Sequence, residues 1–235
     1  MDALELLRGG LIVSVQANAD SVLNGPETIA ILARCAIGNG AAGVRIEGVA
    51  RIAAVRAAID APIVGIIKRV HAGFEPYITS TLQEIGEAAT AGAHIVAFDA
   101  TERPHADGSG IRALIDEIHR HARLAMADCS SEEDARAAAD AGADIVATTL
   151  AGYTGASRGH ALPALDLVHR FSRFHGFVVC EGGVAEAASV KAAFAAGASA
   201  VVVGTALTNL DVLVSRFVAA TPRAAAGGDR NGSLR

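Results

Sequence analysis

The chain has 235 residues, 51% of them hydrophobic and only 4% aromatic, with mean hydropathy +0.37, 25 acidic against 20 basic side chains and no Trp. That is enough apolar material for one large core, while the net charge of −5 excludes a nucleic-acid binder, which needs a basic face to neutralise phosphates. No continuous apolar run reaches the roughly 20 residues of a membrane span, and the acidic opening Met1-Asp2-Ala3-Leu4-Glu5 leads into no signal-like stretch, so a cytoplasmic protein without a membrane partner is the expectation.

In chain order, the first predicted strand is Leu11–Val15, closing on Ser14-Val15-Gln16. An Ala-rich helical stretch then reaches Gly40, and the run after it closes on Arg45. Residues 62–67 form the third strand and end at Lys68; Ala91-Gly92-Ala93 leads into the fourth, which ends at Asp99. Residues 124–127 precede Asp128, and Ala141-Gly142-Ala143 leads into a sixth strand ending in Thr148-Thr149. Residues 177–180 run into Glu181-Gly182-Gly183, and Ala196-Gly197-Ala198 leads into an eighth strand ending in Gly204-Thr205.

Gly40, Gly92, Gly142 and Gly197 are spaced by 52, 50 and 55 residues. Each follows a helical pattern and precedes a β-branched run, the signature of a helix C-cap opening onto a strand. Eight short apolar strands alternating with helices predict one α/β domain, a (βα)8 TIM barrel over residues 1–218. A doubly wound open sheet is the structural alternative, but the even fourfold spacing favours closure. From Ala219 onward periodicity is lost, so residues 219–235 read as a disordered tail. Cys35, Cys129 and Cys180 sit in apolar or strand-like contexts without a CxxC pair and read as reduced thiols.

Strand C-terminal ends build the active site of such a barrel. Gln16, Lys68, Asp128 and Glu181 end odd-numbered strands and are expected to share one layer, with Lys68 and Glu181 facing each other. An epimerase must take a proton from one face of a carbon and return one to the other, which that placement suits. A desolvated lysine is a usable base; the alternative is a strand-end lysine paired with Asp128. Glu181 either handles a sugar hydroxyl and protons or is a buried carboxylate satisfied structurally. Asp99 reads as an ion-pair partner, Arg69 as a salt-bridged neighbour, and Arg45 as an anion clamp or a neutraliser of the carboxylates. Gly182, Gly183, Gly204 and Thr205 lie where many barrels bind phosphate through backbone amides. His119 and His121 form an HxH pair in a helical stretch that points them apart, so no metal site is expected.

These strand ends carry a resemblance. Gly9-Gly10-Leu11-Ile12-Val13-Ser14-Val15-Gln16, Val44-Arg45-Ile46-Glu47-Gly48-Val49 and Gly65-Ile66-Ile67-Lys68-Arg69 are similar to the N-acylglucosamine-6-phosphate 2-epimerase family, the N-acetylmannosamine-6-phosphate epimerases. So are Tyr77-Ile78-Thr79, Asp99-Ala100-Thr101-Glu102-Arg103-Pro104, Ala125-Met126-Ala127-Asp128-Cys129-Ser130, Thr148-Thr149-Leu150-Ala151-Gly152-Tyr153-Thr154 and Cys180-Glu181-Gly182, in order across nearly the whole barrel. The resemblance implies a sugar-phosphate substrate and interconversion of N-acetylmannosamine 6-phosphate with N-acetylglucosamine 6-phosphate in sialic-acid catabolism, with no metal or organic cofactor. It implies Lys68 as acid/base at C2 and Glu181 as the positioning or polarising carboxylate. Gln16, Arg45 and Asp128 match substrate-site residues, and Thr149 and Tyr153 fall in the same set. Reprotonation falls either to the same lysine after a rotation of the intermediate or to a second group such as Glu181. Three departures stand out: Gly183 and Asn209 replace the family's usual basic residues near the phosphate, and Val70-His71-Ala72-Gly73 replaces an acidic continuation after Lys68. A different sugar-phosphate isomerase or lyase, or a silent sugar-phosphate-binding barrel, are the competing readings. A homodimer is compatible with a barrel of this size.

Overall fold

A computed structural model describes residues 2–222. Eight parallel strands close in sequence order into a barrel: β1 (Leu11–Val15), β2 (Gly43–Glu47), β3 (Ile63–Ile66), β4 (Ile95–Asp99), β5 (Leu124–Asp128), β6 (Ile145–Ala147), β7 (Val178–Cys180) and β8 (Ala200–Val203). The ring closes where Leu11, Ile12 and Val13 of β1 pair with Val201, Val202 and Val203 of β8. The predicted barrel is therefore the observed fold, with the strands predicted at Leu11–Val15, 62–67, 124–127 and 177–180 found within one residue of those ends, where ladders fray.

Helices fill the connections: α1 (Ala3–Leu7), α2 (Pro26–Gly38), α3 (Val49–Arg56), α4 (Leu82–Thr90), α5 (Ile111–Arg120), α6 (Glu132–Ala141), α7 (Leu165–Phe171), α8 (Ala187–Ala195), α9 (Thr205–Thr208) and α10 (Leu210–Ala219). The four repeat glycines adopt φ of 92°, 107°, 99° and 106°, left-handed values that explain why glycine recurs where a helix turns into a strand. α6 shows a full start and stop: Ser131 and Asp134 make a capping box, and Gly142 ends the helix.

Strand alternation divides the core in two. Val13, Val44, Ile46, Ile63, Val96, Ala127, Val146, Val178 and Val201 face the helices. Ile12, Val64, Ile66, Ile95, Ala97, Met126, Ile145, Ala147, Val179 and Val202 fill the barrel interior, with Leu7 of α1 closing its lower end. Continuing this two-residue period past each strand aims Gln16, Lys68, Thr149 and Glu181 inward above the apolar layers. The same rule turns Arg45 inward from the middle of β2, where it is 1% exposed.

Two expectations need correction or restriction. Cys35 lies exposed on α2 rather than in an apolar setting, while Cys129 and Cys180 are buried. The proposed tail start, Ala219, is the last residue of α10, and residues 223–235 lie outside the described residues. α10 has no buried residue and leaves Leu210, Val214, Phe217 and Val218 exposed. No helix among the described residues is long and apolar enough to cross a membrane.

Candidate active site

At the C-terminal end of the barrel lies a cavity of about 480 Å³. Its walls include Gln16, Arg45, Lys68, Thr149, Tyr153, Glu181, Gly182, Gly183, Gly204 and Thr205. Of the predicted site residues, only Asp128 is absent from the wall itself; it is fully buried and supports the wall from behind.

An ion network forms the floor. Arg45 Nη2 donates to Asp128 Oδ2 at 2.6 Å and Nη1 to Oδ1 at 3.2 Å, a two-pronged contact. Nη1 also lies 3.0 Å from Glu181 Oε2. Thr149 Oγ1 donates to Asp128 Oδ1 at 2.7 Å and stands 3.3 Å from Glu181 Oε2. Burial alone would lower the Arg45 pKa, but Asp128 and Glu181 outweigh it and hold the guanidinium charged. The layer is thus not built by odd strands alone: one cation from β2 ties together carboxylates that follow from β5 and β7.

Glu181 is held at its backbone as well. Thr148 Oγ1 accepts from the Glu181 amide at 3.1 Å and donates to the Glu181 carbonyl at 2.9 Å. Of the two threonines after β6, then, one fixes the Glu181 main chain and the other faces its carboxyl. Burial pushes the Glu181 carboxyl up to about 7, with Arg45 opposing and Asp128 reinforcing the rise.

Lys68 stands across the barrel, since β3 and β7 are four strands apart in a ring of eight. Its Nζ donates to Gln16 Oε1 at 2.6 Å, and Gln16 in turn donates to Ser14 Oγ. The ammonium opens onto the cavity, while protein closes around the stem. That enclosure, with the positive charge of Arg45, lowers its pKa despite Glu47 and Glu181 nearby. The segment after β3 folds back so that Lys68 bridges Ile78, Arg69 N–H donates to the Tyr77 carbonyl and Tyr77 joins the cavity wall. Tyr77 was part of a recognisable sequence motif, but no local pattern showed that the chain doubles back to place it beside Lys68.

The residues around this set resolve into structural roles. Asp99 accepts from Thr101 and from Arg103 at 2.6 Å, which makes it an anchor for the loop after β4. Arg69 pairs with Glu87 at 2.9 Å, and His71 reaches buried Glu84 at 2.8 Å, so the departure at His71 supports the loop rather than the cavity. His119 and His121 bind different partners, Asp144 and Glu117.

The other two departures have local causes. Gly183 has φ 70°, and a Cβ there would stand 2.4 Å from Leu162 Cβ, so the chain between β6 and α7 leaves no room for a side chain. Asn209 caps α10, its Oδ1 accepting from the Val212 amide at 3.1 Å while Nδ2 donates to Asn18. Gly182, Gly183, Thr205 and Ala206 line the same side of the site, and their amides donate to no protein acceptor among the described residues.

Comparison with known proteins matches the chain to one family. The family model described as "Putative N-acetylmannosamine-6-phosphate epimerase" matches residues 29–223. A Synechococcus elongatus protein named "Putative N-acetylmannosamine-6-phosphate 2-epimerase" is 44% identical over 221 residues, covering 92% of this chain and 95% of its own. A protein of the same name from Escherichia coli O157:H7 is 41% identical over 216 residues, with 92% and 93% covered. The solved N-acetylmannosamine-6-phosphate 2-epimerase from Clostridium perfringens superposes with a TM-score of 0.89 at 35% identity, over 93% of this chain and 96% of that one.

Proposed function

The chain belongs to the N-acetylmannosamine-6-phosphate epimerase family, and on that footing we propose that it interconverts N-acetylmannosamine 6-phosphate and N-acetylglucosamine 6-phosphate, as in sialic-acid catabolism. With the sugar ring open, the C2 proton lies next to an aldehyde, and its loss leaves an enolate stabilised through C1. Lys68 is the base that removes this proton and Glu181 the carboxyl on the other side, able to return one.

The observation that carries the reading is the pair of opposite shifts at opposite walls. Enclosure and the positive charge of Arg45 lower the Lys68 pKa from its ordinary value, while burial raises that of Glu181, so each shift favours the uncharged form of its group. Gln16 aims the Lys68 amine, while Arg45, Asp128 and Thr149 hold the Glu181 carboxyl in place. Tyr153, whose ring rims the cavity beside Gly182, closes over the sugar. The free amides of Gly182, Gly183 and Thr205, in the loops after β7 and β8, and the turn at Gly204 receive the phosphate.

Proton transfer by these side chains needs neither metal nor organic cofactor. The acidic net charge and free thiols support a cytoplasmic enzyme that engages no nucleic acid. A homodimer completes the reading, and the apolar residues exposed along α9 and α10 are the surface a second copy would cover; the mass in solution tests that part. Activity is tested by proton NMR of N-acetylmannosamine 6-phosphate with the protein in D2O. The gluco epimer should appear with deuterium at C2. No turnover of this sugar at any protein concentration would overturn the assignment of substrate, and epimer formed without solvent deuterium would overturn the proton-transfer mechanism.

A further inference from the structure

Among the described residues, three cationic side chains reach the cavity wall: Arg45, Lys68 and Arg216. The first two are committed. Arg45 is sealed against Asp128 and Glu181, and Lys68 is bound by Gln16 and set apart for chemistry. Arg216 makes no hydrogen bond or ion pair within the described residues. It lies in the last turn of α10, two helical turns after Asn209, so both residues share the helix face that looks onto the cavity.

A phosphate monoester carries close to two negative charges near neutrality, and backbone amides alone supply dipoles but no counter-charge. The glycine loops after β7 and β8 have no cationic side chain of their own, because Gly183 cannot carry one and Asn209 is used as a cap.

We propose that Arg216 is the counter-cation of the substrate's phosphate in this chain, reaching over the cavity from α10 and setting the preference for phosphorylated over free sugar. The proposal deepens the epimerase reading and rests on it for the identity of the substrate. A guanidinium fits the task, since its planar fork can hold two phosphate oxygens at once. Placing it on a helix outside the barrel couples phosphate recognition to α10, which contributes no buried residue to the core and touches the barrel chiefly through α9.

The test compares wild type with Arg216→Gln and Arg216→Lys, each confirmed folded by circular dichroism. In Arg216→Gln, KM for N-acetylmannosamine 6-phosphate should rise about 10- to 100-fold with a smaller change in kcat, as for loss of a charge-assisted contact. The preference in kcat/KM for the phosphorylated over the free sugar should fall by the same factor, and Arg216→Lys should recover part of it. Inorganic phosphate, titrated by calorimetry, should bind wild type and lose that binding in Arg216→Gln. A KM within about twofold of wild type, with phosphate binding unchanged, would overturn the role of Arg216 while leaving the epimerase reading intact. Should wild type fail to turn over the phosphorylated sugar, the epimerase reading falls, and the phosphate titration still decides for or against Arg216.

Discussion

Replacing Asp128 with Asn tests the ion network and the catalytic reading together. Asp128 is fully buried and meets Arg45 through two hydrogen bonds of 2.6 and 3.2 Å. Removing one charge from a buried pair strands the other, which typically costs about 3–5 kcal/mol. Here the lower end applies, because Asn retains an acceptor oxygen and Arg45 keeps Glu181 at 3.0 Å. For a chain of this size about 3 kcal/mol corresponds to a fall in Tm of roughly 6–12 °C. The same substitution removes one of the causes that raise the Glu181 pKa and concentrates Arg45 on Glu181. The limb of the pH–rate profile that reports Glu181 should therefore move down from about 7 toward the ordinary carboxylate value. Urea denaturation at fixed pH gives the first quantity, and kcat/KM measured from pH 5 to 9 gives the second. A loss below about 1 kcal/mol with an unmoved limb would refute the reasoning, since it would mean that Asp128 is not charged against Arg45 in the native protein.

Three further outcomes follow from the same geometry. Lys68→Ala should abolish solvent deuterium incorporation at C2 while leaving the circular dichroism spectrum and Tm near wild type, because the ammonium opens onto the cavity and its one side-chain hydrogen bond among the described residues goes to Gln16; full turnover in this variant would remove Lys68 from the chemistry. Glu181→Gln should cut turnover by more than about tenfold, as expected for a positioned acid/base group, and a smaller drop measured under saturating substrate would demote it to a positioning role. Gly183→Arg should not strengthen phosphate binding but destabilise the fold, by about 1–3 kcal/mol for the strained backbone plus the collision with Leu162; a folded variant of unchanged Tm would contradict the positive φ assigned there.

The barrel was legible because its punctuation is chemical. Four glycines at near-even spacing mark turns that only a residue free to take positive φ completes readily, and each is followed by a β-branched run. Period-two alternation then predicts which strand-end side chains face inward, and Gln16, Lys68 and Glu181 obey it. What the sequence did not reveal are contacts made at long separation. Arg45 finds Asp128 83 residues away, and Leu162 closes over Gly183 from another loop. Arg216 enters the cavity because α9, anchored through the 2.7 Å bond from Thr208 Oγ1 to the Ser14 carbonyl, turns the chain back over the barrel mouth. No local pattern encodes such returns; they depend on which loops happen to meet above the strands.

The opposite pKa shifts at Lys68 and Glu181 have one origin. Enclosure by the surrounding protein comes first among the causes at both groups, and low polarity disfavours charge of either sign. A lysine and a carboxylate facing each other across such a site can exist as an ion pair or as neutral amine and neutral acid, and desolvation moves the balance toward the neutral pair. That pair is the form the proposed epimerisation would use, with Lys68 as base on one face of C2 and Glu181 as acid on the other. In the two-group version of the proposed mechanism, one turnover would exchange the roles, leaving Lys68 protonated and Glu181 ionised, and the reverse reaction would start from that state. Arg45 keeps the exchange affordable by remaining charged throughout, so a carboxylate at Glu181 always has a partner. The sign of the resulting stability dependence is fixed. Because the folded Glu181 pKa lies above its value in the unfolded chain, the stability it contributes is complete below about 4.5 and is lost as pH rises through about 7. Glu181→Gln should thus flatten that part of the stability curve, gaining on wild type between pH 5 and 8 while losing its activity. Parallel urea curves for the two proteins across that window would show that the carboxyl is not held protonated by its burial, and the neutral-pair argument would fall with it.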